Sequence, residues 1–125
     1  MRDIIESSLR DADQLLHAFR TDAFAVEKLA QISAAVQETF ARGGKILACG
    51  NGGSMADAMH FCEEWSGRFR KDRDPYAAIA LSDPTHMSCV ANDYGYEHVF
   101  SRQVRALGAA GDMLLLLSTS GNSPS

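Results

Sequence analysis

Lys45-Ile-Leu-Ala-Cys-Gly-Asn-Gly-Gly-Ser54 is an apolar run that ends in a glycine-rich loop and opens directly into a helical pattern. A short run of consecutive apolar residues bounded by glycine fits a strand buried on both faces. The stretch therefore reads as strand, loop, helix. Gly111-Asp-Met-Leu-Leu-Leu-Leu-Ser-Thr-Ser-Gly-Asn-Ser123 repeats the design, with an apolar run followed by a loop of hydroxyls around one glycine. Two such loops point to one anion site.

Working outward, the apolar runs are Ile46 to Cys49, Ala77 to Leu81 and Met113 to Leu117, with helical segments between them. That spacing belongs to βαβ units, which make a parallel sheet covered on both faces. The predicted class is α/β, a doubly wound parallel sheet. Ser54 to Ser66 reads as a helix. Asp83-Pro84 starts another that runs towards Val90, with Asp at the cap and Pro at the first helical position. Tyr94 to Leu107 carries a further helix beginning near Glu97.

Ahead of the first strand, Ile4, Ile5, Leu9, Ala12, Leu15, Leu16 and Phe19 recur at helical steps over residues 2 to 19. Thr21-Asp22 can cap a second helix, in which Val26, Leu29, Ala30, Ile32, Ala35, Val36 and Phe40 recur until Gly43-Gly44 stops it. Three short strands cannot cover two long helices, so part of their apolar surface is expected to meet another subunit.

At 125 residues the chain is read as one domain, helical over 1–43 and α/β over 44–125. It stops at Ser125, where the third strand should feed its own helix, so the α/β part is expected to be incomplete. The formal net charge of −4 disfavours non-specific nucleic acid binding, which needs many cations on phosphates. Cys49, Cys62 and Cys89 sit within apolar patterns rather than at paired spacing, which fits a reduced cytoplasm. No signal peptide or membrane-spanning segment is read at the N-terminus.

In doubly wound sheets, ligands sit at the C-terminal ends of strands, where both special loops lie. Gly50, Gly52 and Gly53 let the backbone approach a ligand, Asn51 supplies donor and acceptor, and Ser54 can cap the helix or bind an oxyanion at its positive end. Ser118, Thr119, Ser120 and Ser123 can wrap a phosphate monoester. Neither a Gly-Lys-Ser/Thr ending nor a spaced third glycine is present, which argues against nucleotide motifs. On the following helix, His60 and Glu64 share a face, with Asp57 one turn earlier. Met55, Ala58, Met59, Cys62 and Trp65 form an apolar face that leaves that pair free to point towards the loops. A His and a carboxylate at this spacing can share a zinc ion, serve as proton carriers, or simply pair on the surface. Asn92-Asp93-Tyr94-Gly95 would close a helix on the same rim, where Asp93 can hold sugar hydroxyls or belong to an ordinary turn. Arg68, Arg70, Lys71 and Arg73 read as a solvated basic cluster. His17, His86 and His98 show no partner pattern.

Cys49-Gly-Asn-Gly-Gly-Ser54, Asp57-Ala-Met-His60, Glu63-Glu64, Gly67-Arg68, Ala91-Asn-Asp-Tyr-Gly95, Phe100-Ser-Arg102 and Ser118-Thr-Ser-Gly-Asn-Ser123 together resemble the phosphoheptose isomerases, a family of sugar isomerase (SIS) domains with a flavodoxin-like sheet. The resemblance runs through nearly the whole chain. It implies a cytoplasmic, zinc-binding homotetramer that converts sedoheptulose 7-phosphate to D-glycero-D-manno-heptose 7-phosphate, on the route to the activated heptoses of lipopolysaccharide. It also implies that Asn51, Gly52, Gly53, Asn92, Asp93, Ser118, Thr119, Ser120 and Ser123 contact substrate, and that His60 and Glu64 bind zinc. Glu64 also matches the proposed base for proton transfer between the first two sugar carbons through an enediol. Family members continue beyond this point to a Gln and a His that complete the zinc site, so the chain alone is expected to bind zinc poorly and turn over little. The rival readings are a non-catalytic SIS protein of the kind that binds the bacterial replication initiator, and a sugar-phosphate-sensing SIS domain. Intact Glu64 and Gly52-Gly53 favour the enzyme.

Overall fold

The computed structural model describes all 125 residues and comprises two compact units, Met1–Gln37 and Glu38–Ser125. The first holds α1 (Arg2–Thr21) and most of α2 (Ala23–Ala41). Asp22 separates them. Its carboxylate accepts from the amides of Phe24 at 2.9 Å and Ala25 at 3.3 Å, satisfying donors that a helix's first turn leaves free. Thr21 plays no part in that cap; its hydroxyl turns back to the carbonyls of His17 and Ala18. None of the residues of α1 is buried, and its stripe of Ile5, Leu9, Leu16 and Phe19 is exposed.

The second unit contains β1 (Ile46–Gly50), α3 (Gly53–Ser66), β2 (Ala78–Ala80), α4 (Pro84–Tyr94), a 3-10 turn (Tyr96–His98), α5 (Val99–Leu107) and β3 (Met113–Leu117). All pairings are parallel in the order β2-β1-β3, with Leu47 opposite both Ile79 and Leu114. This is the start of a doubly wound sheet. The direction of winding reverses at β1, and a crevice is expected beside its C-terminal end. The pleat sends alternate residues of β1 to opposite faces. Ala48 packs with Ala58 and Cys62 of α3, while Leu47 and Cys49 pack with Leu81, Val90, Val99 and Phe100.

The predicted α4 start is observed: the Asp83 carboxylate accepts from the His86 amide at 2.6 Å, with Pro84 as first helical residue. The helix continues past Val90 to Tyr94, where Gly95 at φ 95° breaks it. The His86 ring finds a partner in the Val99 carbonyl at 3.1 Å, tying α4 to the start of α5. β2 is shorter than the apolar run Ala77 to Leu81, because the chain turns at Ser82, whose amide bonds the Ala80 carbonyl at 3.0 Å. Leu81 is fully buried all the same. Coverage of both sheet faces holds for β1, every residue of which is buried. It does not hold on β3, where Leu114 and Leu116 are 44% and 66% exposed. On α3, Met59 departs from the predicted apolar face and is half exposed. The basic cluster is not uniformly solvated either: Arg73 is part-buried against Trp65 and Tyr76.

At the opposite end of the sheet from the glycine loop, Asp112 joins the starts of β1 and β3. Its carboxylate accepts from the Lys45 amide at 2.9 Å, the Lys45 ammonium at 2.5 Å and the Ala109 amide at 2.7 Å. The Lys45 side chain and these amides hold its carboxyl at about 2, below the ordinary 3.8. A depressed carboxylate contributes stability above its unfolded pKa and loses it as pH falls through the folded value. Asp112→Asn should therefore lower the Tm at pH 7, and should lose less Tm than wild type on acidification from about pH 4 to pH 2, as read by thermal melts across that range.

Candidate active site

The crevice is shaped by Gly50 at the end of β1. A Cβ there would lie 2.7 Å from the Ser54 Cβ and 2.8 Å from the Leu117 carbonyl oxygen, so only glycine lets β1, α3 and β3 come this close. Gly52 adopts φ 55°, ψ −120°, a conformation that side chains disfavour. It is the N-cap of α3 and caps with no side chain; Ser54 lies within the first turn instead of at the cap. The Ser54 hydroxyl is thereby left for the crevice.

Across from it, the loop after β3 holds itself by its own hydroxyls. Ser118 Oγ accepts from the Gly121 amide at 3.0 Å and Ser120 Oγ from the Asn122 amide at 3.2 Å, with Gly121 at φ 68°. The two loops enclose a cavity of about 400 Å³. Ser54, Ser118, Thr119, Ser120, Ser123 and Ser125 line it together with Asn51, over apolar Phe100 and Leu116, and no charged side chain takes part. Hydroxyls, amides and the positive end of α3 suit a phosphate ester that is bound and released. Asn51 is oriented from two sides: the Tyr96 hydroxyl donates to its Oδ1 at 2.8 Å, and its Nδ2 donates to Ser125 Oγ at 3.0 Å.

The other predicted site residues lie elsewhere. Gly52 and Gly53 shape the turn without lining the cavity. Asn92 and Asp93 occupy the last turn of α4 and line a separate open groove with Pro84, Thr85, Ser88 and Cys89. The Asp93 carboxylate accepts from Asn92 Nδ2 at 2.9 Å and from the Cys89 thiol at 3.5 Å, and that thiol bond pushes the Cys89 pKa up. His60 and Glu64 do not line the cavity either. Glu64 stands ten residues along α3 from Ser54, about 15 Å at the helical rise.

On α3 the His60 and Glu64 side chains meet at 3.1 Å. Glu63 joins them, and donor atoms of the three lie within 4.8 Å of one another. One imidazole and two carboxylates so placed could hold a metal ion, and zinc accepts such donors. Glu63, which the sequence motif carries without a role, stands three residues from His60 and so on the same helix surface. For Tyr96 and Ser125 the sequence carried no signal, because their partners are remote along the chain; Phe100 stood in the Phe100-Ser-Arg102 motif without a role.

The model of the SIS domain family matches residues 9–125. Over 122 residues the chain is 51% identical to phosphoheptose isomerase from Vibrio cholerae, covering 98% of this chain and 64% of the relative. The corresponding enzyme from Glaesserella parasuis is 54% identical over 115 residues, 92% of this chain and 60% of the relative. Among solved structures, phosphoheptose isomerase from Neisseria gonorrhoeae superposes with a TM-score of 0.90 at 40% identity, covering 98% of this chain and 63% of that one. The chain thus spans less than two thirds of the length of these relatives.

Gly50→Ala is expected to cost about 1–3 kcal/mol by overpacking, seen as a lower Tm. A wild-type Tm would refute the close approach of the three segments.

Proposed function

The chain belongs to the SIS-domain family, and from that premise we propose that it is part of a phosphoheptose isomerase, interconverting sedoheptulose 7-phosphate and D-glycero-D-manno-heptose 7-phosphate. The observation that carries this reading is a charge-free hydroxyl cavity walled by the loop that launches α3, while the same helix carries a His60, Glu63 and Glu64 cluster.

In the proposed reaction, the hydroxyls of Ser118, Thr119, Ser120 and Ser123 hold the phosphate and fix the register of the sugar, with Asn51 beside them. Gly52 and Gly53 bring the backbone close. Glu64 takes the proton from C1 of the ketose and returns it to C2, while a proton passes from the C1 hydroxyl to the C2 oxygen, so the enediol closes to the aldose without net gain or loss of atoms. Asn92 and Asp93 bind sugar hydroxyls. His60 and Glu64, with Glu63, would hold zinc, which when bound would polarise the sugar carbonyl.

About 15 Å of helix separates Ser54 from Glu64, close to the full length of a heptose phosphate with its contacts, so the proposed reaction takes its phosphate loop and its Glu64 either from one copy or from neighbouring ones. The exposed apolar stripe of α1 supports assembly, proposed as a homotetramer. The cytoplasmic placement and the lipopolysaccharide route belong to the same proposal; the three cysteines are free, and no helix is long and apolar enough to cross a membrane.

An aldose–ketose assay on the heptose phosphate tests the reading. Glu64→Gln should abolish whatever turnover the wild-type chain shows, and a chelator should lower it; unchanged turnover in the variant removes the base assignment. Mixing Glu64→Gln with Ser118→Ala/Thr119→Ala/Ser120→Ala decides between these: recovered activity places the two groups in different copies, and none places them in one copy. Leu9→Asp with Leu16→Asp should shift sedimentation towards smaller species.

A further inference from the structure

The last turn of α3 carries Glu63 and Glu64, and a helix leaves its final carbonyls without intrahelical donors. Here those of Glu63, Glu64 and Trp65 have partners. The Cys62 carbonyl accepts from the Ser66 hydroxyl at 2.8 Å and the Glu63 carbonyl from the Gly67 amide at 2.7 Å. The next two are reached by a side chain from beyond the turn: Arg73 Nη2 donates to the Glu64 carbonyl at 2.5 Å and Nη1 to the Trp65 carbonyl at 2.9 Å. The Tyr76 amide adds a second bond to Trp65 at 3.0 Å.

The guanidinium is itself held in place. Nη1 also donates to the Asp74 carbonyl at 2.9 Å, and the group lies 5.7 Å from the Trp65 ring centre and 5.0 Å from that of Tyr76. Both rings pack on Phe40, at 5.0 Å and 4.6 Å between centres. A planar fork set against aromatic faces loses little freedom when it bonds, unlike a lysine ammonium.

We propose that Arg73 is a positioning residue for Glu64. By holding the Glu64 carbonyl, the guanidinium fixes the direction in which that carboxylate leaves the helix, and so its meeting with His60 and Glu63. Glu64 sits in the turn that frays first, whereas His60 lies a full turn further inside α3. Without Arg73 the two ligands lose their common geometry before the helix as a whole is lost. The inference rests on the metal role proposed for this cluster, and it concerns the spacing of the ligands rather than the stability of the domain.

Zinc chloride titrated into the full chain against a chromophoric chelator, at a temperature where every variant is folded by circular dichroism, separates these effects. Arg73→Gln should weaken zinc binding about tenfold, as expected when a group orienting a ligand is removed; Arg73→Lys should fall between it and wild type. Asp112→Asn, which destabilises through Lys45 and Ala109 rather than α3, should bind as wild type does. Wild-type affinity in Arg73→Gln, or an equal loss in Asp112→Asn, overturns the inference. If Arg73→Gln does not fold, Arg73→Lys decides it, and wild-type affinity there is the contrary result. Zinc binding to wild type that is insensitive to both His60→Ala and Glu64→Gln overturns the metal reading and this inference together.

Discussion

Gly50 has neighbours where a side chain would stand, and the rim of the sheet follows from that. The first turn of α3 and the last carbonyl of β3 both press on the end of β1. Because the three segments meet there, the loops that leave them face each other across a narrow space instead of splaying apart. Their hydroxyls converge without any lysine or arginine to anchor them. The close approach also depends on β1 being paired on both sides and buried along its whole length, so the central strand and the binding crevice are one construction.

Much of this was legible in the sequence for local reasons. Consecutive apolar residues need no alternation to be noticed, so Ile46 to Cys49 and Met113 to Leu117 stood out, although only the first is buried on both faces. The α4 start was readable because Asp83-Pro84 caps through adjacent atoms. What escaped depends on the third dimension. Leu81 continues the apolar run into the core just beyond Ala78–Ala80, its amide still bonded to the Ala48 carbonyl, which lengthened the predicted β2. Ser54 looked like a cap, but the turn at Gly52 moved the helix start ahead of it. Helical periodicity told which side of α3 carries His60 and Glu64, yet not how far along the axis they lie from the loop. The composition of residues 68–73 showed a basic cluster without showing that one member reaches back to two carbonyls.

α3 thus acts as a spacer of fixed length between two kinds of chemistry. At its start the chain presents backbone amides and uncharged hydroxyls; near its end it presents an imidazole and carboxylates. A third polar patch lies on α4, where the Asp93 carboxylate is engaged by Asn92 and Cys89. Each group is set by its own local bonds, so geometry within each is tight even though the three are apart.

Pairing along β1 is unequal, three residues with β2 against five with β3. The two flanks of the crevice therefore differ in stiffness: the β3 side, from which the hydroxyl loop leaves, is the more firmly held.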